Sequence, residues 1–233
     1  MAFTSAPLAQ RLWGRTAAAQ QRLQIPARDS AAPIPLSFSQ QPMWLAESLD
    51  PGTPLYNSAE AFRLSGALDE RALRFALETI VRRHEILRSG FSLVAGEPVH
   101  TVFPTGSFPL DVVDRTGLDR GAAALQERCA EFIGRPHDFA RGRLARALLI
   151  RLGPQDHVLV LALHHIVRDG WTLGVILREI SECMRAFALG SAPALPALAI
   201  QFGDFCVWQR RLANDGAYDE QRDYWVRRLA GAP

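Results

Sequence analysis

From His157 to His165 the chain reads His-Val-Leu-Val-Leu-Ala-Leu-His-His, apolar at consecutive rather than alternate positions. A strand solvated on one face alternates apolar and polar residues. A run that is apolar on both faces belongs at the centre of a sheet, between covering layers. A second apolar run, Leu144 to Leu152, precedes it across Gly153-Pro154-Gln155-Asp156, a turn signal that makes the two runs neighbours. Whatever fold the chain adopts must bury both.

The remaining chain carries elements of both kinds. Ala59 to Leu64 and Leu110 to Val113 read as strands, and Phe91–Val94 with Val99–Phe103 as a hairpin around Gly96. Asp69 is placed to cap a helix running to about Arg83, with Leu73, Leu77 and Ile80 on one face. Further helices are predicted over 121–133, 171–189, 202–212 and 219–229; in the second of these, Leu173, Ile176, Leu177, Ile180 and Met184 recur at helical spacing. Tight turns join several strands. The expectation is therefore an α/β fold, a two-layer sandwich with a mixed sheet, rather than a doubly wound parallel one. Residues 1–34 read separately: leucines at irregular helical spacing from Leu8 to Leu23, then an Ala/Pro/Ser-rich stretch from Pro26 to Pro35. They are expected to form an N-terminal helix and linker, with 35–233 as the folded body.

Composition removes several functions. All basic residues are arginine, so no lysine amine is available for Schiff-base or pyridoxal chemistry. Net charge is +2, with both signs interspersed, which gives no basic stripe for nucleic acid. Cys129, Cys183 and Cys206 form no CxxC pair, so neither a zinc site nor a disulfide framework is indicated, and reduced thiols suit a cytoplasmic protein. Val158 to Leu163, the longest apolar run, is far too short to cross a bilayer. There is no Gly-x-Ser-x-Gly elbow, phosphate-binding glycine loop or dinucleotide fingerprint.

The stretch that can carry chemistry is His164-His165-Ile166-Val167-Arg168-Asp169-Gly170-Trp171, where the buried strand ends in two histidines before a turn and a helix. Adjacent strand residues face opposite ways, so one imidazole is expected to be satisfied structurally and the other to face a cavity. Asp169 is placed to cap the next helix or to pair with an arginine. On the residues alone, two core histidines with an ordinary cap stand level with a histidine-centred site. A metal site is disfavoured, because two opposed histidines cannot chelate together and no third ligand is near.

His164 to Gly170 matches the HHxxxDG motif of nonribosomal peptide synthetase condensation domains, which share the chloramphenicol acetyltransferase-like fold. Pro35-Leu36-Ser37-Phe38-Ser39-Gln40-Gln41 with Met43-Trp44 resembles that family's opening motif. Arg83 to Phe91 resembles RHExLRTxF, Asp138-Phe139 with Leu144 to Arg146 resembles the entry to the active-site hairpin, and Phe202 to Gln209 resembles YxDFAVWQ. Trp171-Thr172-Leu173-Gly174 differs from the epimerization pattern, and the intact histidine pair differs from the cyclization pattern. Ser89-Gly90 and Pro42-Met43 depart from the family's usual residues.

The resemblance implies amide bond formation between a donor acyl or peptidyl thioester and an acceptor aminoacyl thioester. Both are delivered on phosphopantetheine arms by upstream and downstream peptidyl carrier proteins, with no cofactor bound directly. It implies His165 and Gly170 as catalytic residues, His165 being either general base or positioner of the amine. Gly170 would admit the acceptor arm, beside helix-starting amides that favour negative charge. His164, Asp169, Arg88 and Arg83 would support the site, Asp169 in a buried pair with Arg88 first and Arg83 second. Family members have two lobes, so the chain is expected to be the N-terminal lobe and inactive without the second, with residues 1–34 a docking element. A non-catalytic half-domain that binds a carrier or partner, and a half-enzyme completed by another chain, are the alternatives. Neither nucleic acid nor membrane is expected as a partner.

Overall fold

A computed structural model describes residues 24–29, 33–116 and 123–232. The helix expected within Leu8–Leu23 lies outside them. The two apolar runs form β6 (Ala145–Gly153) and β7 (Asp156–His164), an antiparallel hairpin turned at Pro154-Gln155. Beyond β7 lies β2 (Asn57–Ser65), antiparallel, and beyond β6 lies β5 (Leu110–Asp114), parallel, giving a mixed sheet in the order β2-β7-β6-β5. The parallel pair needs a crossover, supplied by helix α3 (Ala123–Gly134). A smaller antiparallel sheet joins β1 (Ile34–Pro35) to β4 (Glu97–Val102) and β3 (Ser89–Val94).

The central strands are apolar on both faces because both faces are covered. Ala145, Ala147 and Leu149 of β6, with Leu159, Leu161 and Leu163 of β7, pack on helices α2 (Glu70–Arg83) and α4 (Thr172–Ala188). The intervening Leu148, Ile150, Leu152, Val160 and Ala162 pack with Phe132 of α3. Asp69 caps α2, its Oδ1 accepting from the amides of Arg71 at 2.8 Å and Ala72 at 3.3 Å, while Arg82 and Arg83 sit in the last turn where cations suit the helix dipole. α2 buries Leu73, Ala76, Leu77 and Ile80; α4 buries Ile176, Ile180 and Cys183, with one carboxylate, Glu179, in the same stripe.

The body begins upstream of the expected boundary at 34/35. Ile34 is buried and paired with His100 across the small sheet, and the Arg28 side chain is inserted against Asp204 and Glu85. The remaining helices are α1 (Gln40–Leu49), α5 (Phe202–Asn214) and α6 (Asp219–Arg228). Pro42 falls in the first turn of α1, where its missing N–H costs no helical bond. None of the described helices is long and apolar enough to cross a membrane.

Candidate functional site

The strand β7 ends at His164, and His165 opens a 3-10 turn, His165–Val167. Strand alternation is therefore not what separates the two imidazoles; the turn is. The His165 amide still reaches the sheet edge, donating to the Tyr56 carbonyl at 2.9 Å. His164 is buried, its ring against Phe139 (centroids 4.7 Å apart) and His137 (5.7 Å). Its Nδ1 accepts from the Ile166 amide at 3.1 Å, which puts the ring proton on Nε2. Burial, with His137 and His165 nearby, pushes its pKa down to about 3. A ring so held is neutral at physiological pH and walled off from any substrate.

His165 is exposed and lines a cleft of about 390 Å³. Its Nδ1 lies 2.9 Å from the Arg168 carbonyl oxygen. A carbonyl only accepts, so Nδ1 carries a proton, and in the neutral ring the lone pair is on Nε2, on the far side. Met43, Ile86, Leu87, Val175, Ile176 and Phe202 give the cleft apolar walls, and Trp171, 87% exposed, stands at its rim. The turn is seated from below by Gln40, 2% exposed, whose Nε2 donates to the Ile166 carbonyl at 2.9 Å and whose Oε1 accepts from the Ser37 amide at 3.0 Å.

Asp169 corrects one expectation. Among the described residues it makes no ion pair; its Oδ1 accepts from the amides of Trp171 (3.0 Å) and Thr172 (2.9 Å) and from the Thr172 hydroxyl (2.7 Å), while Thr172 Oγ1 accepts from the Asp169 amide. These bonds, the Thr172 hydroxyl foremost, hold its carboxyl below the ordinary value. Asp169 wins as a cap because it is exposed, where an ion pair contributes little and four short local bonds are within reach. The arginines expected beside it are engaged elsewhere: Arg83 with Glu179 at 2.9 Å, and Arg88 with the Phe103 carbonyl and, at 3.9 Å, Glu85. The cap also occupies the amides of Trp171 and Thr172, so these are not free to meet developing negative charge. Gly170 lies between two cleft residues, and a Cβ there would meet no atom within 4 Å. The fold itself makes no demand for glycine at that position.

A family model described as the condensation domain matches residues 30–233. This chain belongs to that family. It is 40% identical over 213 residues to the phosphinothricin tripeptide synthetase PhsC of Streptomyces viridochromogenes, which covers 90% of this chain and 20% of that synthetase. It is 37% identical over 210 residues to the malpibaldin synthetase of Mortierella alpina, covering 90% of this chain and 4% of the other. Among solved structures, the X-domain from teicoplanin biosynthesis, in complex with OxyB, superposes with a TM-score of 0.80 at 30% identity over 90% of this chain and 46% of that one. The first condensation domain of the calcium-dependent antibiotic synthetase, in complex with a substrate analogue, gives 0.78 at 25% identity, with 87% and 49% covered. The chain thus spans about half the length of these solved domains and a fifth or less of the two synthetases.

The other stretches that resemble condensation-domain motifs contribute to the cleft or to the elements beside it: Gln40 and Met43, His84, Ile86 and Leu87, and Phe202 line it. Arg83 and His84 both bind Glu179, His84 Nε2 at 2.7 Å from Oε2, and His84 lines the cleft with His165. Sequence reading passed over His84 and Glu179; the signal was a glutamate in the buried stripe of α4. Arg168 was likewise missed: its Nη1 binds both Glu60 oxygens, at 2.8 and 2.6 Å, bracing the turn on β2. Gly90, at the unconstrained position before Phe91 in the pattern RHExLRTxF, is required here for a steric reason. A Cβ there would lie 2.5 Å from the Ala140 carbonyl oxygen and 2.7 Å from the Phe103 ring.

Proposed function

We propose that this chain carries the His165 face of an amide-forming condensation catalyst, in which an acceptor amine attacks a donor thioester. The observation that carries the reading is the His165 imidazole on an apolar cleft, its Nδ1 tied to the Arg168 carbonyl so that Nε2 is the ring nitrogen left for a substrate. Both substrates would arrive as thioesters on phosphopantetheine arms of upstream and downstream carrier proteins. An acceptor α-amine has a pKa of about 8, so at neutral pH much of it is ammonium. Nε2 would take one proton from that ammonium and release it to solvent, then take the second from nitrogen as the C–N bond forms and pass it to sulfur as the thioester C–S bond breaks, so the arm leaves as a thiol. Holding the amine by the same lone pair serves the positioning role equally, since co-locating two tethered reactants supplies several kcal/mol of effective concentration. Gly170 fits an approach path for the acceptor arm, because no described residue comes within 4 Å of a Cβ built there. Asp169 fixes the turn and the start of α4 rather than touching the reacting atoms.

A second reading is favoured by one observation, the superposition on an X-domain solved with OxyB bound. On that reading the face around the cleft binds a partner protein and performs no transfer. The two separate in one assay: the condensation domain containing this span, incubated with loaded donor and acceptor carrier proteins, is analysed by intact mass. Dipeptidyl carrier product is expected. Stable carrier or partner binding with no product above the uncatalysed background would favour the second reading.

A further inference from the structure

Arg28 lies two residues ahead of the span matched by the family, yet its side chain is 10% exposed and bridges two carboxylates. Nη2 donates to Glu85 Oε2 at 2.6 Å, Nη1 to Asp204 Oδ1 at 2.8 Å, and the Arg28 amide to the same Asp204 oxygen at 3.1 Å. Gly203 makes the room: a Cβ there would lie 3.0 Å from Nη1 and 3.1 Å from Cζ.

Both bridged residues sit on elements that wall the cleft, though neither lines it. Glu85 opens the 3-10 turn Glu85–Arg88, whose Ile86 and Leu87 line it, and Asp204 sits in the first turn of α5 beside Phe202, which also lines it. Gln201 ties the same walls, accepting from the Glu85 amide at 3.1 Å and donating to the Arg83 carbonyl at 3.1 Å. From α5 the bonds continue to the site: Cys206 Sγ is 3.6 Å from Gln40 Oε1, and Gln40 Nε2 holds the Ile166 carbonyl in the His165 turn.

We propose that Arg28 is a positioning residue for the cleft. Its planar fork sets the spacing between the Glu85 turn and α5 and, through Cys206 and Gln40, the seat of His165. The stretch ahead of the family's span is thereby joined mechanically to the site. The inference rests on the reading of the His165 cleft as the working site. A lysine at this position keeps the charge but not the two-pronged geometry, so it separates positioning from simple neutralisation of two carboxylates.

The test compares Arg28→Ala and Arg28→Lys in the full chain by hydrogen exchange and by the His165 ring Cε1–Hε1 resonance. Loss of a buried charge-assisted bond opens local structure by about tenfold or more. Both variants should therefore exchange at least about tenfold faster at the amides of Leu87 and Arg168, the latter bonded to the His165 carbonyl, and shift the His165 resonance. Amides of the β6–β7 hairpin should hold their rates. Full restoration by lysine would reduce Arg28 to a counter-charge and overturn the proposal, as would faster exchange at Leu87 with Arg168 and His165 unmoved. If alanine prevents folding, the lysine variant alone decides. Condensation that survives His165→Ala, by contrast, would sink the reading of the cleft while leaving the exchange result standing.

Discussion

His164 and His165 bond to the same turn through the same ring atom in opposite senses. Nδ1 of His164 accepts from the Ile166 amide, and Nδ1 of His165 donates to the Arg168 carbonyl. Two adjacent histidines are thus fixed as opposite tautomers by backbone groups two and three residues on. His164 spends its lone pair inside the fold, whereas in the neutral His165 ring the lone pair is on Nε2. Nitrogen-resolved NMR of the neutral rings should show the Nε2–H form for His164 and the Nδ1–H form for His165. An Nε2–H form at His165 would leave the wrong atom facing the cleft.

Asp169→Ala should cost about 1 kcal/mol, the value of a lost helix cap, rather than the ~3–5 kcal/mol of a broken buried ion pair. Urea unfolding of the variant against wild type measures it. The cap also has a pH signature. Since the folded carboxyl is held below its ordinary value, its contribution is complete above about pH 4 and is lost as pH falls through the folded pKa. A loss of 3 kcal/mol or more would restore the ion-pair account.

Much of this was legible from residues. The β6–β7 hairpin followed from two apolar runs and a turn signal, α2 from Asp69 and a clean apolar stripe, and a cavity beside one of the two histidines from the end of the buried strand. Its wiring was not. Nothing local marks Glu179 as the partner of Arg83 and His84, which lie 96 and 95 residues away in the chain. The same holds for Arg28, which meets Asp204 across 176 residues. Asp169 was misassigned among long-range arginines because a cap and an ion pair call for the same side chain, and only the exposure of the turn decides between them.

Gly90 and Gly170 should respond in opposite ways to alanine. At Gly90 the new methyl would strike a backbone carbonyl, so about 2–3 kcal/mol of stability should be lost. At Gly170 it meets no described residue within 4 Å, so the melting point should hold while condensation falls. A destabilised Gly170→Ala, or one with unimpaired turnover, would remove the glycine from the substrate path.

Glu179→Ala should be strongly destabilising, by about 3 kcal/mol, because it leaves the Arg83 guanidinium, 15% exposed, without its carboxylate. Glu179→Gln keeps an acceptor for Arg83 and should lose less. Denaturant midpoints of the two variants check the order, and equal midpoints would mean that charge pairing is not what holds this helix contact.

Three buried histidines predict acid sensitivity. Burial foremost, aided by Arg28 and Arg146 respectively, lowers His100 and His137 to about 4, and His164 lies at about 3, against an ordinary 6.5. Below pH 6.5 the unfolded chain takes up protons that the folded chain refuses, so stability falls as pH drops from 6.5 towards 4. Unfolding free energies across that range should decline steadily, and His137→Gln should make the decline shallower. A flat profile would mean that these rings titrate alike in both states.

The most direct measurement is the initial rate of dipeptidyl product formation on loaded carrier proteins by the condensation domain containing this span, wild type against His165→Ala. The ring is exposed and alanine forfeits one hydrogen bond, to the Arg168 carbonyl, so stability should fall by only about 1 kcal/mol and the variant should stay folded. The rate should fall about 100-fold or more, the scale of a lost proton-transfer group. A His165→Ala rate within about threefold of wild type would contradict the assignment of the chemistry to this histidine.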